Sequence, residues 1–229
     1  MYENTFNKEL GKKLLAGADI NKEITKIKNR SEALFSTAKV MSKHFTSILK
    51  ALNQVFPLDT NEANLIGTPD RIARAWIEMI SGLGVDPSSV FGSSFPSNEY
   101  DQIIVLKNIH FTSLCSHHFM PFSGVASVGY IPNVEEGSVC GISKLARLVD
   151  IVAKQPQLQE RMCETIINSI KELNPEGAIV VISGSHGCIS CRGVEKQSAK
   201  MITSAVYGSF KEQTVKTEFF ELLKIKDTI

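Results

Sequence analysis

Two short windows, far apart in the chain, must meet in space if their side chains are to act together, and this limits the fold more than any other feature. The first is Cys115-Ser116-His117-His118, set between Ile103-Ile104-Val105 and Phe122-Ser123-Gly124-Val125. The second is Ser185-His186-Gly187-Cys188-Ile189-Ser190-Cys191-Arg192-Gly193. Between them they hold three of the five cysteines and three of the five histidines. Cys-x2-His is a common half-site of a tetrahedral zinc centre, because a thiolate and an imidazole at that spacing can reach one ion. Two ligands are too few, and the second window offers two more thiols, a histidine and an arginine. Taken singly, each residue reads as an ordinary buried cysteine or a hydrogen-bonded histidine. Their concentration in two windows points to zinc.

Composition narrows the setting. Five cysteines, an odd number without a secreted disulfide layout, suit a reducing compartment and metal or thiol chemistry. A chain of 229 residues with 43% hydrophobic content can bury a real core. Its net charge of +1 argues against a general nucleic-acid or membrane-surface binder, while leaving room for a local basic pocket. No apolar run approaches membrane-spanning length, and Met1 to Arg30 lacks a signal peptide's apolar core, so a cytoplasmic location is expected.

Residues 1–30 are polar and Lys-rich and read as a loosely held arm. Residues 31–98 read as a helical region with a connector. Leu34, Ala38, Met41, Phe45, Ile48, Leu52 and Val55 keep the four-and-three spacing of one helix face, which Pro57 ends. Thr68 and Pro69 then suit the N-cap and first position of a second helix, on which Arg71 and Arg74 share a face. The Gly/Ser/Pro-rich run 82–97 is the connector.

From residue 99 the period changes. Residues 101–111 and 122–131 read as antiparallel strands flanking the first window, and Gly141 to Lys154 as a helix. A further helix is expected from Pro156 to Asn174, then a strand at Ala178–Ser183 leading into the second window. Residues 199–210 suit its returning partner, and 214–226 a closing strand or helix. The order β-β-α-α-β-β indicates an α+β domain over 99–229, with an antiparallel sheet and helices on one face.

These motifs resemble GTP cyclohydrolase I. The resemblance rests on Thr68-Pro69-Asp70-Arg71-Ile72-Ala73, Cys115-Ser116-His117-His118 with Met120-Pro121-Phe122-Ser123-Gly124, Gly141-Ile142-Ser143-Lys144-Leu145-Ala146-Arg147, Gln157-Leu158-Gln159-Glu160-Arg161, and His186-Gly187-Cys188 with Arg192-Gly193. It implies the tunnelling fold, a toroidal homodecamer with sites between subunits, and zinc-dependent conversion of GTP to 7,8-dihydroneopterin triphosphate and formate. It further implies that Cys115, His118 and Cys188 bind Zn2+ and leave a fourth position for water. His117 and His186 match the acid/base histidines. Glu160, with Gln159 beside it, matches the guanine-binding carboxylate. Lys144, Arg147, Arg192, Arg71 and Arg74 match the triphosphate-binding cations, with Ser143 assisting.

Two positions depart from the family pattern. Ser116 stands where the family usually has Glu, removing a carboxylate beside the metal. Cys191 creates Cys188-x2-Cys191, so a closed Cys3His site is also readable. That alternative describes a zinc-stabilised oligomeric protein that holds a nucleotide or pterin without turning it over. A same-fold enzyme acting on a related purine or pterin is a third reading.

Overall fold

The computed structural model describes residues 20–56, 58–59, 61–92, 94–98 and 100–226, with side chains from residue 29 onward. Contacts divide the chain into two compact units, Met1–Glu78 and Met79–Ile229. In the first, α1 spans Ile20–Asn53 and α2 spans Thr68–Met79. The expected arm, 1–30, lies outside the described residues as far as position 19, and from Ile20 the backbone is already helical. Ile20, Ile24 and Ile27 carry an apolar spacing upstream, and a helix once nucleated extends readily. Phe45 and Trp76 join α1 to α2, edge to face at 5.2 Å. The Ser42 hydroxyl donates to Asp70 at 2.6 Å. The predicted α1 stripe is half-buried at Leu34, Ala38, Met41 and Phe45, whereas Ile48 and Leu52 are exposed.

The second unit is α+β. A two-stranded ribbon pairs β1 (Ser94–Pro96) with β4 (Ser138–Cys140). The main sheet contains β2 (Ile104–Cys115), β3 (Pro121–Pro132), β5 (Pro156–Gln157), β6 (Pro175–His186) and β7 (Met201–Gly208). Its order is β5-β2-β3-β6-β7; β5 runs parallel to β2, and every other pairing is antiparallel. Helix α3 (Ile142–Ala153) packs on β2, and α4 (Gln159–Ile170) packs on β6 and β7. A single turn, α5 (Gly187–Ser190), follows β6, and α6 (Gln213–Lys224) closes the chain.

Two boundaries differ from the sequence reading. Pro156 begins no helix: Pro156 and Gln157 pair with Leu114 and Cys115, and α4 starts at Gln159. The Gln157 carbonyl is engaged there, accepting from the Ser116 N–H at 3.0 Å. The strand expected over Ala178–Ser183 runs from Pro175 to His186, because Asn174, at φ +47°, ends the preceding turn abruptly.

The alternation of β6 divides the core. Ala178, Val180 and Ile182 join the cluster formed with Leu145, Leu148, Val152, Met162 and Ile166 of α3 and α4. Ile179 points the other way, into a cluster with Phe210 and Phe219. Helices on one face therefore describes α3 and α4, while α6 lies on the opposite face.

A bulge sets which residues of β2 face the helices. Leu106 pairs with Val128, but the next register pair is Ile109 with Ala126. Asn108 sits there at φ +58°, a conformation that Asn tolerates better than most residues. The one-residue slip changes the inward set from Ile104 and Leu106 to Ile109, Phe111 and Cys115.

Phe219 anchors α6 where Gly129 leaves room; a Cβ at 129 would lie 2.8 Å from its ring. Phe219→Ala should lower unfolding free energy in urea by about 3–5 kcal/mol, the range for truncating a buried phenylalanine. A change below about 0.5 kcal/mol would show that α6 is not held by this side chain.

Candidate metal centre

The pairing of β3 with β6 brings the two windows together. Phe122 lies opposite His186, so the loop after β2 and the turn after β6 emerge at the same end of the sheet. The first window is a tight turn. Phe119 N–H donates to the Cys115 carbonyl at 2.8 Å, and Cys115 N–H donates to the Met120 carbonyl at 2.9 Å. Phe119 takes φ +51° to close it. One such turn places Cys115 and His118 together, with Sγ and Nδ1 3.9 Å apart. In the second window, Gly187 allows the approach to the first: a Cβ there would lie 2.7 Å from the Pro121 carbonyl oxygen.

Cys115, His118 and Cys188 form the resulting group, their ligand atoms all within 4.8 Å of one another. Cys115 is buried, Cys188 half-buried and His118 exposed, so the group opens to solvent on one side. Burial, and then the neighbouring Cys115 sulfur, push the Cys188 thiol up, with Arg192 among the opposing influences. Two sulfurs facing each other repel once both are ionised. A divalent cation between them removes that repulsion and favours both thiolates. The donor set of two sulfurs and one imidazole nitrogen therefore fits a metal ion.

Cys191 stands apart from this group. Its Sγ donates to the Gly187 carbonyl at 2.8 Å and the residue is exposed. His117 is exposed beside His118, its ring edge-on at 6.2 Å, and is not in the ligand group. His186 stacks on Phe122 at 4.3 Å with a 4° interplanar angle. Its Nε2 lies 2.9 Å from Gln159 Oε1. Burial pushes the His186 ring down, with the Glu160 charge opposing.

Gln159 and Glu160 diverge although they are neighbours. Successive helical residues point about 100° apart. Gln159 is accordingly 1% exposed, whereas Glu160 is open to solvent. Glu160 lines a groove of ≈ 580 Å³ between α4 and the edge strand β7, with Glu164, Asn168 and Thr203 also on its wall.

Within the second unit the expected phosphate-site residues are spread out. Ser143 and Lys144 lie in the first turn of α3, which starts beside Cys140. Cys140 N–H donates to the Tyr130 hydroxyl at 3.1 Å. Tyr130 is eight residues along β3 from Phe122, roughly 25 Å at the rise of a strand. Arg147 is exposed one turn further on, and Arg192 follows α5 close to Cys188. Arg71 and Arg74 belong to the first unit. Arg71 donates to the Asn64 and Ile66 carbonyls and to the Thr68 hydroxyl.

Phe122, Thr203 and Gly184 were not anticipated as parts of the site. Phe122 could have been suspected from its place beside the first window. Gly184 leaves space for Gln159, since a Cβ there would lie 2.5 Å from Oε1. Nothing in the local sequence signals Thr203.

The chain is similar to known proteins over most of its length. The sequence profile of the family described as GTP cyclohydrolase I matches residues 41–224. The chain is similar to "GTP cyclohydrolase 1" of Bacillus subtilis, 44% identical over 182 residues, covering 79% of this chain and 92% of that one. Its similarity to "GTP cyclohydrolase 1" of Bacteroides fragilis is 38% over 196 residues, covering 85% and 97% respectively. To the Wolinella succinogenes protein of the same name it is 44% identical over 163 residues, covering 71% and 86%.

The geometry predicts which thiols hold a metal. Cys115→Ala and Cys188→Ala should each lose the bound divalent ion, and Cys191→Ala should keep it, by metal analysis of the purified proteins. Metal loss in Cys191→Ala equal to that in the other two would place Cys191 among the ligands.

Proposed function

Because the chain belongs to the GTP cyclohydrolase I family, we propose that it converts GTP and water to 7,8-dihydroneopterin triphosphate and formate, the first step of pterin and folate biosynthesis. The observation that carries this reading is the open Cys115, His118, Cys188 group flanked by two histidines outside it. A structural metal has no use for those histidines. Zinc held there supplies Lewis acidity that makes water a usable nucleophile near neutral pH.

The chain's own residues then divide the work. Glu160, exposed at the start of α4, accepts from the guanine N1–H and 2-amino group. His117 delivers a proton to N7 as water's oxygen adds to C8, so that charge does not build up on the ring as the imidazole opens. His186 carries protons through hydrolysis of the resulting formamide, which releases formate. Each such group contributes about 10²–10⁴ in rate. Arg192 meets the triphosphate, since a guanidinium binds phosphate oxygens through paired hydrogen bonds.

Lys144, Ser143, Arg147, Arg71 and Arg74 complete the phosphate site in this reading, from neighbouring copies. The distance of Lys144 from the metal group within one chain supports this, as do the exposed Ile48 and Leu52 on α1. The assembly is a homo-oligomer, a toroidal decamer of tunnelling-fold domains formed by residues 99–229. Free thiols at all five cysteines fit a reducing, cytoplasmic setting. Among the described residues, no helix is long and apolar enough to cross a membrane.

Purified protein given GTP should release formate and yield neopterin fluorescence after oxidation. His117→Ala and His186→Ala should keep the metal and lose product formation by at least about 10². Wild-type protein that binds GTP without releasing formate would refute the reading. A mixture of Cys115→Ala and Lys144→Ala chains, dissociated and reassembled, should recover activity that neither has alone. Absence of recovery in properly reassembled mixtures would place Lys144 and the metal group of one chain in the same site.

A further inference from the structure

Gln159 is buried and held at both ends of its amide. Its amide nitrogen lies 3.2 Å from the Ile182 carbonyl oxygen, 3.0 Å from that of Met201 and 3.0 Å from Thr203 Oγ1. Its Oε1 faces His186 Nε2 at 2.9 Å. Backbone carbonyls can only accept, so the amide nitrogen must be the end that faces them. The oxygen is then the end that faces the imidazole, and His186 Nε2 must donate to it. Gly184 keeps the space for Oε1 clear, and Phe122 holds the ring plane from the side.

We propose that Gln159 is a positioning residue that locks His186 as the Nε2–H tautomer and leaves Nδ1 as the nitrogen through which that histidine exchanges a proton. The proposal rests on the assignment of His186 to proton transfer. A proton arriving at Nδ1 gives an imidazolium that keeps its Nε2–H bond to Gln159, so the ring need not turn during a cycle. The amide hydrogens are engaged in the protein interior, and recognition of the base falls to Glu160 rather than to the pair. The lock reaches outward through Thr203, whose Oγ1 also lies 3.2 Å from the buried Cys163 sulfur.

Two measurements on the full-length, metal-loaded protein test this. The first is the solid-state ¹⁵N spectrum of histidine-labelled wild type, with the His186 signals identified by their absence in His186→Asn. The neutral His186 ring should carry its proton on Nε2 and not on Nδ1. The reverse tautomer overturns the proposal, and this reading needs neither GTP turnover nor a folded Gln159 variant. The second is kinetics of Gln159→Met, which keeps the side chain's length and removes its hydrogen bonds. Its kcat should fall by about 10–100-fold, the usual effect of removing a partner that orients a working group. Its KM for GTP should stay within about twofold and its metal content should be unchanged. A raised KM with kcat intact would make Gln159 a substrate contact and overturn the proposal. Wild type without GTP turnover but with the expected tautomer would sink the functional reading and the proton-exchange role with it, leaving only the hydrogen-bond lock between Gln159 and His186.

Discussion

The register between β3 and β6 is the constraint on which the site depends. It sets Phe122 opposite His186, and so delivers both windows to one end of the sheet. A slip of one residue would turn every side chain of one strand to the other face. The register is held by the core: Ala126, Val128, Ala178, Val180 and Ile182 are all fully buried beneath α3 and α4. At Gly124 the two strands approach so closely that a Cβ would lie 2.0 Å from the Ser183 carbonyl oxygen. Burial of the central sheet thus specifies a position several residues away, where the chemistry is.

The same logic explains the polarity of the two ends. The far end is closed by Tyr130, whose hydroxyl takes the Cys140 N–H and whose ionisation is pushed well up by burial. The near end carries exposed His117 and His118 and half-buried Cys188, and is open to solvent. A chain with a net charge of +1 can hold a highly charged ligand only by concentrating cations locally. The proposed sharing of cations between copies would accomplish this without crowding them in one chain, where they would repel one another.

Much of this was legible in the sequence. Periodicity revealed α2, α3 and the β2–β3 pair, because each buries one regular face. The two windows stood out because their residue types are rare and clustered. The bulge at Asn108 was not legible: Lys107-Asn108 sits inside a run that reads as an ordinary strand, yet it decides that Cys115 faces inward. Pro156 misled because proline opens helices as readily as it ends strands, and only the pairing with Leu114 discriminates. Gln159 was grouped with Glu160 by adjacency, whereas helical geometry sends the two side chains to different surroundings. Its partners Ile182, Met201 and Thr203 are distant in sequence, so no local pattern could announce them.

The central claim is an open centre of two thiolates and one imidazole, with Cys191 left out. X-ray absorption at the zinc edge of the purified protein tests it most directly. The account predicts two sulfur ligands at about 2.3 Å and two nitrogen or oxygen ligands at about 2.0–2.1 Å, one of them exchangeable with solvent. Three sulfurs and a single nitrogen would contradict it, since a site closed by Cys191 has no position left for the reaction.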